Sequence, residues 1–159
     1  MNHFVYNMPL GRLTIAADDH AIKEVHFGAL KLDCPRRPSA LTNQAATQLQ
    51  EYFSGKRTEF SVPVDPEGSE FQKAVWSQLQ TIPYGQTRTY AQVAEAIGSP
   101  KSYRAVGMAN NKNPIPILIP CHRVIGANGN LVGYAAGIKI KDYLLKLESE
   151  HALDCIGRN

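Results

Sequence analysis

Long apolar runs are missing from this sequence, and so is a secretion signal. None of its 159 residues lies in an uninterrupted apolar stretch of the roughly 18–20 residues that a membrane-spanning helix needs. The first residues, MNHFVYNMPLG, contain neither the basic segment nor the apolar segment of a signal peptide. We therefore expect a cytoplasmic protein that does not associate with membranes.

Cysteine is also scarce. Cys34, Cys121 and Cys155 form an odd and widely spaced set, which excludes a disulfide framework and matches no zinc-ligand spacing. We expect these thiols to be reduced, so that Cys121 is available as a nucleophile.

The net charge is small but unevenly distributed. The chain carries +3 overall; residues 1–67 have seven Lys/Arg against eight Asp/Glu, whereas residues 68–159 have ten against six. The positive charge therefore lies in the half that contains Cys121. This asymmetry is typical of a protein with a polyanionic partner. The alternative explanation is chance variation in the distribution of surface charge.

The N-terminal part has the pattern of strands followed by one helix. Apolar residues alternate at Leu13, Ile15 and Ala17, as they do in a strand with one buried face. A helical spacing follows over residues 41–53 and ends before a glycine. Residues 61–68, with two prolines and a glycine, make the best linker, so we expect domains at 1–66 and 67–159.

The C-terminal part has helix-start signals at short intervals. Two capping boxes precede amphipathic segments, Ser69 with Gln72 and Thr89 with Gln92. Ser99 before a proline predicts that a third helix covers residues 100–111. Short helices joined by a tight glycine-containing turn indicate a helix-turn-helix.

Two further signals complete the expected fold. Asn128-Gly129 predicts a hairpin turn, which would make the motif a winged helix-turn-helix. A last helix is expected to bury one face, formed by Ile140, Tyr143, Leu144 and Leu147. The predicted fold class is therefore α+β: a small N-terminal β-sheet with a helix, followed by a mostly helical winged helix-turn-helix domain.

The segment PIPILIPCHRVIGANGNLVGY places Cys121 beside His122 at the end of an apolar run. A thiol becomes a good nucleophile only when it is ionised, and a neighbouring imidazole can take its proton directly or through a water. Adjacent residues on an extended strand point to opposite faces, so this pair needs a bend, which Pro120 and the following turn could supply. An imidazole base also needs an orienting partner, and both Glu148 and Glu150 are candidates. The alternative is a buried structural cysteine.

The predicted third helix is made of unusually small residues. Ala105, Gly107 and Ala109 follow Arg104, and a helix with such side chains can approach another surface closely. That surface is either nucleic acid or the interior of the domain itself.

These motifs together resemble those of the O6-alkylguanine-DNA alkyltransferases, proteins that repair DNA by direct transfer. The matching segments are FQKAVW, IPYG, RAVGMAN, NPIPIL, IPCHRV and LLKLE. The similarity runs from about residue 49 to residue 148, and the Pro-Cys-His-Arg signature in this context is highly specific. The N-terminal strands match only loosely.

The resemblance implies a role for each matching residue. Cys121 would accept the alkyl group, His122 would deprotonate it through a water, and Glu148 would orient His122. Asn113 would brace the turn that carries the cysteine, and Tyr90 would assist rotation of the nucleotide and departure of the guanine.

The resemblance also implies how the protein meets DNA. Arg104 would fill the gap left by the rotated guanine, and the helix face with Ala105, Gly107 and Ala109 would enter the minor groove. The base pocket would be formed by Val124, Tyr134, Ala135 and Ala136, the last two varying among relatives.

The implied activity is that of a methylated-DNA–protein-cysteine S-methyltransferase that reacts once. It would repair O6-alkylguanine and, less well, O4-alkylthymine in double-stranded DNA, without metal or cofactor. The protein would act as a monomer without an obligate protein partner, near the nucleoid in a bacterium or in the nucleus of a eukaryote. Cooperative binding along DNA is left open. The rival interpretations are a catalytically silent lesion-binding protein, a winged-helix regulator and a cysteine hydrolase.

Overall fold

The structure is a computed structural model that describes residues 1–131 and 137–157, with side chains as far as residue 152. It divides into two compact units, Met1–Glu67 and Gly68–Asn159. Among the described residues, no helix is both long and apolar enough to cross a bilayer.

The first unit is a three-stranded antiparallel sheet with one helix packed against it. The strands are β1 (Asn2–Met8), β2 (Gly11–Ala17) and β3 (Ile22–Phe27), in the order β1-β2-β3. The helix α1 (Ala40–Phe53) contacts all three strands. Leu13, Ile15 and Ala17 are buried as predicted, but so are the residues between them. The chain after β3 covers their face, where the Thr14 hydroxyl donates to the carbonyl of Gly28 and accepts from the N–H of Leu30.

The second unit is mostly helical. It contains helices α2 (Glu70–Leu79), α3 (Tyr90–Ala96), α4 (Tyr103–Asn111) and α5 (Ile138–Gly157). A 3-10 turn (Cys121–Arg123) lies between α4 and α5, and two short strands, β4 (Arg88–Thr89) and β5 (Val124–Ile125), form a second sheet. α4 packs against α2 and α3, as in a helix-turn-helix.

The two predicted capping boxes are confirmed. In α2, the Ser69 side chain accepts from the backbone N–H of Gln72, whose side chain accepts from the backbone of Ser69. Thr89 and Gln92 form the same reciprocal pair at the start of α3. Each pair satisfies two N–H groups that the first helical turn leaves without intrahelical partners.

The predicted start of the third helix is wrong by three residues. α4 begins at Tyr103, with Ser102 at its N-cap. Ser99 instead accepts the backbone N–H of Ser102 at 2.9 Å through its carbonyl, and the two hydroxyls lie 3.1 Å apart. Pro100 therefore belongs to a turn before the helix, a position that proline also favours.

The predicted hairpin is not found in the part of the chain that the structure describes. A turn does form at Asn128-Gly129, where Gly126 donates to the carbonyl of Asn130 at 2.8 Å. However, β5 pairs in parallel with β4 instead of with a following strand. Residues 132–136, which would form the returning strand, lie outside the described residues.

Candidate active site

Cys121 lies at the start of the 3-10 turn and is only 2 % exposed. The turn supplies the bend that an extended strand would lack, so Cys121 and His122 need not project to opposite faces. The backbone of Cys121 is held on both sides: its N–H donates to the carbonyl of Ile119 at 2.8 Å, and its carbonyl accepts from the side-chain amide of Asn110 at 3.2 Å.

The loop before Cys121 is organised by Asn113. Its side-chain amide donates to the carbonyl of Ile119 at 2.8 Å, and its side-chain oxygen accepts from the N–H of Ile115 at 2.9 Å. Between these two bonds Ile117 has a φ of 72°, a left-handed conformation that strains a β-branched residue by about 1–3 kcal/mol. The Asn113 bonds help to hold the chain in this strained path to the cysteine.

Glu148 on α5 is the partner of His122. One carboxylate oxygen lies 2.5 Å from Nε2 of His122 and accepts from Nη2 of Arg123 at 3.0 Å. The other accepts from Nε of Arg123 at 2.8 Å and from the N–H of Gly85 at 3.1 Å. Glu148 is 1 % exposed, whereas Glu150 is exposed, so Glu148 is the one of the two candidate carboxylates that contacts His122.

The charges in this network fix its protonation. Burial alone would raise the pKa of Glu148, but the hydrogen bond from His122 and the hydrogen bonds and positive charge of Arg123 outweigh it and hold that pKa far below its ordinary value. Burial lowers the pKa of His122, and the contact with Glu148 offsets this only in part. His122 is therefore a neutral ring with its proton on Nε2, facing an anionic Glu148, and Nδ1 is its basic nitrogen.

Gly85 allows the IPYG turn to approach α5. Its φ is +77°, and a Cβ at this position would lie 2.8 Å from the side chain of Ala152. Only glycine fits both constraints without displacement. The close approach brings the Gly85 N–H to the carboxylate of Glu148.

Tyr90 and Lys141 contact each other, and both interact electrostatically with Cys121. The Lys141 ammonium donates to the Tyr90 hydroxyl at 3.5 Å and lies 5.8 Å from the centre of its ring. Burial, together with the repulsion between the two groups when Cys121 is ionised, raises the pKa of Tyr90 to about 12. Burial lowers the pKa of Lys141 to about 8, against the attraction of Cys121. Both side chains are thus electrostatically coupled to the thiol.

Comparison with known families covers both units. Residues 70–150 match the family described as 6-O-methylguanine DNA methyltransferase, DNA binding domain, and residues 1–66 match the ribonuclease-like domain of the same methyltransferase. The chain belongs to the O6-methylguanine-DNA methyltransferase family.

Individual relatives agree with this assignment over nearly their full length. The methylated-DNA–protein-cysteine methyltransferase of Methanosarcina acetivorans is 49 % identical over 153 residues, 93 % of this chain and 98 % of that protein. That of Mycobacterium tuberculosis is 45 % identical over 149 residues, 91 % and 90 % of the two chains. A crystal structure of Mycobacterium tuberculosis OGT in complex with DNA superposes with a TM-score of 0.89, at 42 % identity, covering 95 % of this chain and 94 % of that one. The chain is a methylated-DNA–protein-cysteine methyltransferase that repairs O6-methylguanine.

The small residues of α4 do not all share one exposed face. Arg104 and Ala105 are exposed, and Gly107 is half-buried. A Cβ at position 107 would lie 3.8 Å from the Tyr90 ring. Ala109, however, is 3 % exposed, and its carbonyl accepts the indole N–H of Trp76 at 2.8 Å. The small residues of α4 therefore occupy two environments: some pack inside the unit, and others are presented to solvent.

Of the predicted base-pocket residues, only Val124 can be placed. It is fully buried in β5, directly after the 3-10 turn. Tyr134, Ala135 and Ala136 lie outside the described residues.

Three residues of the site were not predicted from the sequence: Asn110, Arg123 and Lys141. Arg123 is part of the Pro-Cys-His-Arg signature, and this motif could have identified it as a residue of the site. Lys141 lies seven residues before Glu148, two helical turns, and therefore on the same face of α5. The predicted apolar face of α5 needs a matching correction, because Tyr143 is 40 % exposed whereas Lys141 is fully buried.

Proposed function

We propose that Cys121 receives the alkyl group and that each protein molecule reacts once. The observation that carries this proposal is the placement of a buried cysteine next to His122, whose ring is tied to an anionic Glu148. His122, neutral and with Nδ1 as its basic nitrogen, takes the thiol proton through a water. Glu148 orients the ring and stabilises the imidazolium that forms.

The reaction is a displacement at a saturated carbon. The Cys121 sulfur forms a bond to the alkyl carbon while the bond from that carbon to O6 of guanine breaks. The electron pair passes to the guanine, which takes up one proton and so becomes the restored base. This proton balances the one that the thiol gave to His122 through the water. The thioether product has no easy route back to a thiol, so the protein is consumed, and none of these steps requires a metal or cofactor.

Tyr90 and Lys141 stabilise the two groups that carry negative charge in this reaction, the departing guanine and the Cys121 thiolate. With a pKa of about 12, the Tyr90 phenol keeps its proton and serves as a hydrogen-bond donor to the departing guanine. The Lys141 ammonium donates to the same hydroxyl and provides a positive charge near the Cys121 thiolate. Asn113 and Asn110 hold the loop and the cysteine carbonyl in place for the attack.

The substrate reaches Cys121 as a base rotated out of double-stranded DNA. A stacked guanine does not expose its O6 substituent to a protein thiolate, and rotation costs a few kcal/mol. Exposed Arg104 enters the gap from the minor groove and replaces part of the lost stacking, while Ala105 and Gly107 allow α4 to approach. Because the minor groove gives little sequence information, the pocket around Val124 selects the substrate. The protein works as a monomer in the compartment that holds the DNA.

Titration with a duplex that contains a single O6-methylguanine tests this function. We expect lesion loss to stop at one equivalent per protein, and the Cys121→Ser variant to bind the same duplex without removing the methyl group. Continued turnover would indicate a hydrolase. Binding by the wild-type protein without lesion loss would indicate a silent lesion-binding protein or a winged-helix regulator.

A further inference from the structure

α4 presents two large apolar side chains to solvent. Six large hydrophobic residues are exposed among those that the structure describes: Met1, Leu30, Tyr103, Met108, Ile138 and Tyr143. Two of the six, Tyr103 at 47 % and Met108 at 65 % exposure, belong to the nine residues of α4. A helix that enters DNA by virtue of small side chains alone would not carry them.

Tyr103 is in contact with the residue expected to enter the duplex. The guanidinium carbon of Arg104 lies 5.9 Å from the centre of the Tyr103 ring, within the range of a cation–π interaction. The ring therefore restricts the conformations of a long side chain that would otherwise sample many rotamers in solvent.

Met108 lies on the other side of Arg104, one helical turn further along. Arg104, Met108 and Lys112 follow at intervals of four residues and are all exposed, so they form one stripe along the helix. Met108 also lines a shallow depression of about 210 Å³, with Ala105 and Phe71 among its other walls. The Met108 side chain thus lies at the rim of an open groove, between the cationic residues Arg104 and Lys112 along the helix.

The geometry points to Tyr103, Arg104 and Met108 acting as one composite wedge that inserts at the rotated base. This inference rests on the proposed function and adds two positioning residues to it. Tyr103 holds the guanidinium ready for insertion, and Met108 covers the apolar surface of the bases and sugars that unstacking exposes. Methionine is among the side chains that minor-groove proteins use to separate base steps, and its flexible thioether fits irregular surfaces.

The wedge is needed only when a base must leave a stacked duplex, and this gives a specific test. The rate of alkyl transfer is measured for three substrates: O6-methylguanine in a duplex, the same lesion in a single-stranded oligonucleotide, and the free base O6-benzylguanine. Tyr103→Ala and Met108→Ala are compared with Tyr103→Phe and Met108→Leu, which keep a ring and an apolar side chain. Leu30→Ala, which removes an exposed leucine from the other unit, is the matched control.

We expect each alanine variant to slow transfer from the duplex by about three- to tenfold. This range follows from the usual strength of an exposed cation–π contact and of partial burial of an apolar side chain. Transfer from the single strand and from the free base should change by less than about twofold, and the conservative variants and Leu30→Ala should match the wild type. An unchanged duplex rate, or an equal loss on all three substrates, would overturn the wedge while leaving the proposed function in place. Failure of the wild-type protein to react with any of the three would overturn the proposed function itself.

Discussion

Replacement of Glu148 by glutamine is expected to slow alkyl transfer by about a hundred- to a thousandfold, the range attributed to a positioned acid–base group. Glutamine has the same shape but carries an N–H₂ group, which would face the donors of His122 or Arg123. The variant also leaves the Arg123 guanidinium, 6 % exposed, without its counter-charge. We therefore expect the free energy of unfolding to fall by about 3–5 kcal/mol as well, measured by urea denaturation at neutral pH.

The pH dependence of stability separates this effect from a loss of packing. Because the folded-state pKa of Glu148 is lowered, its contribution is present above the ordinary carboxyl value of about 4.3 and is lost as the pH falls below it. In the Glu148→Gln variant, the part of the loss of stability in acid that comes from Glu148 should be absent. Glu150→Gln, on the exposed side of α5, is the matched control and should leave both rate and stability unchanged. Equal behaviour of the two variants would contradict the assigned network.

Replacement of Lys141 by methionine is expected to change stability and activity in opposite directions. The fall of the Lys141 pKa from 10.5 to about 8 corresponds to roughly 3 kcal/mol of unfavourable burial at neutral pH. Methionine fills the same space without a charge, so the free energy of unfolding should rise by about 1–3 kcal/mol. The rate of transfer at pH 7 should fall about tenfold, since the Cys121 thiolate loses a neighbouring cation.

The sign of the pH effect provides a second measurement on this variant. Between pH 8 and 10.5 the unfolded chain holds the Lys141 proton and the folded chain does not, so wild-type stability gains from this group as the pH rises through that window. Lys141→Met should lack this gain. Lys139→Met, an exposed lysine of the same helix, should retain it together with full activity. A Lys141→Met protein that is less stable but equally fast would contradict the role of a buried, functional charge.

Local signals in the sequence predicted most of the helix boundaries. The segment 41–53 became α1 (Ala40–Phe53), and both capping boxes formed, because a cap is decided by residues three positions apart. The predicted start of α4 was wrong for a related reason. Ser99 before a proline is compatible with an N-cap and with a turn, and the difference depends on how α4 packs against α2 and α3, which local sequence does not show.

The centre of the site could be predicted only in part. The thiol and imidazole are adjacent in sequence, but the choice of Glu148 over Glu150 depends on which face of α5 meets the 3-10 turn. Lys141 was missed because helical periodicity treats lysine as a solvent-facing residue, and a buried ammonium runs against that rule. Such local conflicts are expected where function requires a group that folding alone would exclude.

Peptide mass spectrometry after reaction with a duplex containing one O6-methylguanine identifies the residue that accepts the methyl group. We expect the peptide holding Cys121 to gain the mass of one methylene group, in an amount equal to the guanine restored. The peptides holding Cys34 and Cys155 should remain unmodified. An unmodified Cys121 peptide, with the lesion repaired or with the methyl group on another residue, would contradict the assignment of Cys121 as the acceptor.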